Sequence, residues 1–459
     1  MISRGDFTMG LDFNISLTGL NAGEKMISVA QNNIANASNT SYARQRAELN
    51  AVSIGQGNSG VNSQLGSGVL VEQISRIRDE LFIQQSRSEG GEIGYYSSTK
   101  DILSNIETIF NETGDNSVSD LLQNFFNSFE EASKFPEQSS YRLSAVYAGK
   151  MLSDKIRGIT YQLDEAKLQT DNKLSVQVTQ VNELVQKIAN VNKKIGNALS
   201  ENPNGLLDER DKYLDELSSY VDIQVVHSTN PKDMAIKVGN ATLVAGINTY
   251  DIKPMYVKEK DQWVLGASDV EFKPKSGSLA GVLDVRNNYV ATYEGDLNKL
   301  VSSLINEVNT IHKSGFGIDS TTGLNFFNGS DSRTININSI LESNPEKLAL
   351  SSENGVIGNS NIATDIADLK SKSFIDSRPP LNYYQEYTSR LAMDLNSAKE
   401  NVEIHTDIQK SLESQRQEVQ GVNIDEEMSD LLMIQKYYQA NAKTLSTTKE
   451  MLEQLFSIF

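Results

Sequence analysis

The sequence predicts a mainly α protein with a β module: an α+β, multidomain chain. Both chain ends form a long coiled-coil-like helical hairpin, and a β-rich domain sits at the centre. Three observations predict this. Apolar residues recur in alternating steps of four and three from Ile424 to Phe459, the repeat of a helix that packs along another helix. The same rhythm runs near the start of the chain, through Leu17, Leu20, Ile27 and Ile34. Between Val221 and Val285 the helical period gives way to short strand-like runs separated by turns. The expected parts are 1–40 with 422–459 as a terminal-helix inner domain, 41–217 with 373–421 as a helical bundle, and 218–372 as a β-rich outer domain.

Beside the first helical seam lies a second stripe of mostly small residues, Gly19, Ala22, Gly23, Met26 and Ala30. A glycine inside a helix costs about 1 kcal/mol relative to alanine, so two of them point to close backbone approach. The amide-rich segment from Gln31 to Arg46 reads as the helix exit and an extended strap, because Asn, Ser and Thr satisfy backbone groups outside helices. Ala51 to Gly68 reads as a loop and Val69 to Ile77 as a strand. Tyr95 to Phe135 and Ser139 to Ile195 read as helices separated at Pro136, with Asn192 on the second seam. Leu206 to Tyr220 opens a short helix. Asp222–Val226, Met234–Val238, Thr242–Val244 and Gln262–Leu265 read as strands, and Gly281–Val285 reads as a continuation of the β region. Ala291 to His312 is helical, Gly315 to Gly329 turn-rich, and Leu381 to Gln420 a long polar helix up to a hinge at Gly421.

The final stretch carries the strongest signal. Its seam includes Leu431, Tyr438, Leu445, Leu452 and Phe456. Asn423 can cap its first turn, and Asp425, Glu426, Glu427 and Asp430 place negative charge at the positive end of the helix dipole. At 1.5 Å per residue this helix is about 57 Å long. The seams of the first and last helices have two readings: the helices pack together in a globular core, or they serve partners outside the chain.

Composition narrows the function. The chain has 459 residues, a net charge of −18 and no cysteine. Such a charge argues against nucleic-acid or anionic-membrane surfaces, and the lack of cysteine removes disulfides, thiolate catalysis and cysteine metal sites. No apolar run is long enough for a membrane span, so no membrane insertion is expected. The start lacks the basic region, apolar core and cleavage site of a signal peptide. His227, His312 and His405 show no ligand spacing. Asp208, Glu209 and Asp211 cluster around Arg210, which reads as helix-start charge with a local ion pair. No catalytic residue, cofactor site or metal site is expected.

Several segments resemble a known family. Asn32 to Arg46 (NNIANASNTSYARQR) and the closing GVNIDEE…YYQANAKTLSTTKEMLEQL resemble the shared ends of bacterial flagellar axial proteins. The middle resembles the flagellar hook-associated protein 1 family: Asn204–Asp211 (NGLLDERD), Gly277–Leu283 (GSLAGVL), and Asn309, His312 and Gly315 followed by Phe326–Phe327. Two features depart from that family. Ser41 stands where the family has glycine, and the stretch from Phe327 to Leu381 has no room for the extra outer domain of larger members. The resemblance implies a structural subunit of the flagellum that forms the first junction layer between hook and filament, not an enzyme. The nine seam residues named above would then be assembly contacts. It implies stacking on copies of itself, on hook protein and on the second hook–filament junction protein. It also implies export by the flagellar type III system, held beforehand by a flagellar export chaperone, and an extracellular place on the flagellum. Another axial subunit (hook protein or second junction protein) or an extracellular adhesin are the alternatives; the Leu206–Asp211 motif argues against the former.

Overall fold

The computed structural model describes residues 4–39, 41–52, 66, 68–110, 116–198 and 203–458. The chain opens with helix α1 (Arg4–Ala35), and strands β1 (Gln45–Ala51) and β2 (Val69–Arg76) form an antiparallel hairpin against it. Helices α2 (Glu80–Ile109), α3 (Val118–Lys134), α4 (Ser139–Asn197) and α5 (Asn204–Ser218) follow. α3 is started by Ser117, whose hydroxyl accepts from the Asp120 N–H, and buries Leu121, Leu122, Phe125, Phe126 and Phe129 along one face. The 59 residues of α4 make a rod of about 88 Å, and its inner face is lined by Leu152, Ile156, Leu163, Leu174, Val181, Val185 and Ile188.

α2 begins well before Tyr95, where the sequence reading placed the helix. Its first half is rich in Gly, Ser and Gln, which hides it from propensity. The glycines have a packing cause. A Cβ at Gly94 would lie 2.1 Å from the Ser219 carbonyl oxygen, and one at Gly91 would lie 2.7 Å from the Ser276 hydroxyl. The segments before and after the β region lie directly on α2 there.

The β part is built of small antiparallel sheets. β3 (Gln224–Val226), β4 (Ala235–Val238), β5 (Ala241–Ala245) and β6 (Asn248–Thr249) pair in sequence order, as do β7 (Lys253–Val257), β8 (Gln262–Ala267) and β9 (Val270–Phe272). Gly281–Val285 is not a strand. It lies in helix α6 (Ser278–Asp284), which continues through one π turn (Val285–Tyr289) into α7 (Val290–Lys313). A short apolar run does not separate strand from buried helix. Here the geometry selects helix: Gly277 enters at φ 90°, and a Cβ on Gly281 would sit 2.4 Å from the Tyr95 carbonyl oxygen of α2. The π turn aims Arg286 at Asp171 (2.7 Å) and Asp261 (3.0 Å), and Asn287 at the backbone of Trp263, so it fastens the β7–β8 hairpin to α4.

β10 (Phe327–Asn328) pairs with β11 (Asn336–Ile337), followed by α8 (Ser339–Ser343), α9 (Asn361–Asp368), α10 (Pro380–Gln420) and α11 (Ile424–Ile458). The Asn309–His312–Gly315 motif holds this returning segment. The Asn309 side chain accepts from the N–H groups of Phe326 and Phe327, both at 2.9 Å, and donates to the Phe327 carbonyl at 2.8 Å. His312 is 1 % exposed. Its Nε2 accepts from the Ala349 N–H at 3.0 Å, so Nδ1 carries the proton and donates to the Leu324 carbonyl at 2.8 Å.

Burial pushes the His312 imidazole from 6.5 down to about 4. A histidine lowered in the folded state contributes stability that is whole above pH 6.5 and is lost as pH falls toward about 4. At ~1.4 kcal/mol per pH unit the whole window holds roughly 3 kcal/mol. Thermal melts between pH 7 and 5 should show a stability loss of about 2 kcal/mol that is absent in His312→Gln. A parallel loss in the variant would refute this assignment.

One continuous apolar core runs from Ile102 to Leu395 and joins the bundle to the β sheets. It includes the inner face of α7, which packs on α10, α9 and α4. Among the described residues, no member of that core belongs to α1 or α11.

Candidate functional site

α1 and α11 pack on each other outside this core and run antiparallel: Gly19 lies against Asn441, Gly23 against Tyr437 and Tyr438, and Asn33 against Glu427. The small-residue stripe, not the larger apolar seam, makes the contact. Gly19, Ala22, Gly23, Val29 and Ala30 are buried, whereas Leu17 is 40 % exposed and Leu20, Ile27 and Ile34 are half-buried. Without side-chain bulk the stripe lets α11 approach closely; a Cβ on Gly19 would lie 2.7 Å from Asn441 Oδ1.

On α11 the inward face runs through Glu427, Leu431, Ile434, Tyr438, Asn441, Leu445, Thr448 and Leu452. It keeps Leu431, Tyr438, Leu445 and Leu452 from the sequence-derived seam and shifts the alternate positions by one residue. Leu431, Leu445 and Leu452 are half-buried, and Tyr438 is 39 % exposed although its ring covers Gly23. The shift follows from polar partners. Glu427 is drawn inward by Arg44 and Asn33, which turns Ile424 and Met428 to the surface. The Phe456 side chain lies outside the described residues.

Away from this contact the pair exposes several large apolar side chains. Phe13, Leu17, Ile424, Met428, Leu432, Met433, Tyr437 and Met451 are all exposed, with Leu432 at 59 % and Met433 at 62 %. Large apolar side chains left exposed on a helix pair that, among the described residues, adds nothing to the core suit contact with a partner.

A clasp fixes this pair to the bundle and brings the two end motifs together. Glu427 is 3 % exposed and accepts from Arg44 Nε at 2.6 Å and from Asn33 Nδ2 at 3.0 Å. Asn33 also exchanges two hydrogen bonds with the Gln45 backbone, and its Oδ1 accepts from the Tyr42 hydroxyl at 2.8 Å. The Arg44 N–H donates to the Gln420 carbonyl, and the Arg44 carbonyl accepts from Ile77. The exit of α1, the start of β1, the end of α10 and the first turn of α11 therefore meet at one point. Sequence reasoning missed Glu427 here. It reads as one of several acids at a helix start, and no local signal links it to an asparagine 394 positions away.

Beneath the clasp, α5 presents a second polar lock. Asp211 receives Arg76 Nη1 at 2.8 Å and pairs with Arg78, with Arg87 at 3.6 Å; Asp208 also receives Arg76 at 2.8 Å. These ties are long-range, which corrects the expected local ion pair with Arg210. Arg210 turns instead to Asn192 Oδ1 (3.0 Å) and the Pro231 carbonyl (2.6 Å). Burial alone would raise the Asp211 carboxyl, but the surrounding guanidiniums hold it below the usual carboxylate range. The NGLLDERD stretch thus ties β2 and the start of α2 to α5, helped by Asn204 Nδ2 donating to the Ile74 carbonyl.

Among the described residues no group of His, Asp and Glu is arranged to hold a metal, and no helix is long and apolar enough to cross a membrane. The buried charges are tied into structural locks, and the apolar surface lies on an external helix pair. These features fit a structural subunit.

Known proteins agree. The family profile described as flagellar hook-associated protein FlgK helical domain matches residues 103–327, and that of the flagellar basal body rod FlgEFG protein C-terminal region matches 413–458. Flagellar hook-associated protein 1 of Bacillus subtilis (strain 168) is 25% identical over 500 residues, which span 98% of each chain. That of Salmonella typhimurium is 22% identical over 561 residues, 97% of this chain and 99% of the relative. The solved flagellar hook junction protein FlgK from Burkholderia pseudomallei superposes with a TM-score of 0.49 at 21% identity, over 53% of this chain and 46% of that one. By these matches residues 103–327 are a FlgK-type helical domain, and the chain is similar over nearly its whole length to flagellar hook-associated protein 1, a structural protein of the flagellum.

Proposed function

We propose that this chain forms the first junction layer between hook and filament, and that the α1–α11 pair is the element that assembles. The observation that carries this reading is the set of exposed apolar side chains on that pair, which lies outside the core and is tied to the bundle by the Asn33–Arg44–Glu427 clasp. In this reading the terminal pairs form the innermost ring, the helical bundle of 41–217 and 373–421 the next shell, and 218–372 the outer surface. Leu17, Leu20, Ile27, Ile34, Leu431, Tyr438, Leu445, Leu452 and Phe456 contribute wherever they remain open to neighbours. The partners are copies of the chain, hook protein below, the second hook–filament junction protein above, and an export chaperone before secretion. The destination is the extracellular flagellum, reached through the type III export channel. Deletion of the gene is the test. The expected result is cells with hooks, no filaments, and filament protein shed into the medium; filaments of normal number on the deletion strain would overturn the proposal.

A further inference from the structure

The bundle carries a second unpartnered surface, on helices other than the terminal pair. On α4 the outward residues Leu143, Tyr147, Tyr161, Leu168 and Val176 are between 51 % and 66 % exposed and lie along one line of the helix. On α10 a similar line runs through Met393 (64 %), Ile404 (47 %), Ile408 (40 %) and Val419 (47 %). At 1.5 Å per residue the two lines are about 50 Å and about 39 Å long. α2, α3 and α7 are each packed against both α4 and α10, so these two helices flank the bundle.

Gly158 lies in the α4 line, three residues before Tyr161. It sits in the interior of a 59-residue helix, and a Cβ built on it would meet nothing within 4 Å. Inside this chain nothing requires glycine there, and glycine disfavours the helix. The open glycine between exposed tyrosines matches a place where another backbone approaches. The charges of the two helices are opposite: α4 carries nine Lys and Arg against five Asp and Glu, α10 four against seven. Beside the α10 line stand Glu400, Glu418 and Asp407, the last paired with Lys410; beside the α4 line stand Lys150, paired with Glu342, Arg157, paired with Asp154, and Glu165.

We propose that the outward face of α4 docks on the outward face of α10 of a second copy of this chain, with Gly158 at the closest approach. Two different complementary faces on opposite flanks make a head-to-tail contact, which propagates into a ring or helical array and does not stop at a dimer. The proposal rests on the reading that the chain assembles with copies of itself, and it specifies a lateral contact separate from the terminal helices.

Cysteine cross-linking on flagellated cells tests it, since the native chain has no cysteine to interfere. Tyr161→Cys is combined in turn with Met393→Cys, Ile404→Cys and Ile408→Cys, and a short bismaleimide is added to assembled flagella. The expected result is a ladder of covalent dimers, trimers and higher species for at least one double variant, and no linkage for any single variant. Filament-bearing cells that give no ladder with any of the three pairs would overturn this contact while leaving the junction reading intact. Dimers from a single variant would overturn it too, because they would signal a symmetric contact. Gly158→Trp supplies a second readout. The isolated chain should melt no lower than the parent, and filament-bearing cells should fall at least tenfold; unchanged filament numbers would contradict the proposal.

Discussion

Asp211→Ala is expected to destabilise the folded chain by about 3–5 kcal/mol, the usual cost of removing one partner from a buried ion cluster. Three guanidiniums, those of Arg76, Arg78 and Arg87, converge on this carboxylate, and their side chains are only 10–15% exposed. Without Asp211 they repel one another in a site only partly open to water, and only Asp208 remains to offset Arg76. The Asp211 carboxyl is held low, so its contribution is whole above the unfolded value of 3.8 and is lost as pH falls through the folded one. Urea unfolding at pH 7 checks the magnitude. Asp215→Ala is the control: it pairs with Arg87 from a position 46% exposed, and its loss should cost below about 1 kcal/mol.

Glu427→Ala is expected to release the terminal pair and leave the core intact. The Glu427 side chain is 4 % exposed, that of Arg44 23 %, so the cut takes their most buried partner from Arg44, which keeps Glu426 at 3.2 Å, and from Asn33, which keeps the Gln45 carbonyl. The loss, discounted for the partial exposure of Arg44, is about 2–4 kcal/mol, felt locally. Among the described residues neither α1 nor α11 contributes to the main core, so the principal melting transition should stay in place. Limited proteolysis should instead cut faster around Gly421–Asn423. A lower main transition with unchanged cleavage would show that the clasp supports the core.

The division into terminal helices, bundle helices and a β module was legible because each rests on a period that local sequence carries. α11, α10, α7 and α4 fall close to where their repeats place them. What was hidden depends on close approach or on distant partners. The first half of α2 is masked by Gly90, Gly91 and Gly94, two of which are there for the α5–α6 segment. The Gly281 run reads as strand because its apolar residues are too few to show a helical turn. The α1–α11 seam lies one residue away from its sequence-derived position at alternate steps. Asn33 and Arg44 pull Glu427 inward, and that pull comes from the opposite end of the chain. The Asn309–His312 motif and the NGLLDERD motif were visible as patterns, but their work as locks appears only once Phe326, Ala349, Arg76 and Arg78 are in place.

The central claim is that the exposed apolar side chains of the terminal pair are reserved for neighbouring subunits. Leu432 tests it most directly, since it is 59 % exposed on α11 and off the inward face. Burying a leucine is worth about 1.5–3 kcal/mol and burying an unpaired carboxylate costs several more, a penalty repeated at every copy. Filament counts on cells carrying Leu432→Asp are the measurement, with the melt of the purified variant beside them. The account predicts an unchanged melt, a secreted chain, and hooks without filaments. Normal filaments on those cells would contradict it.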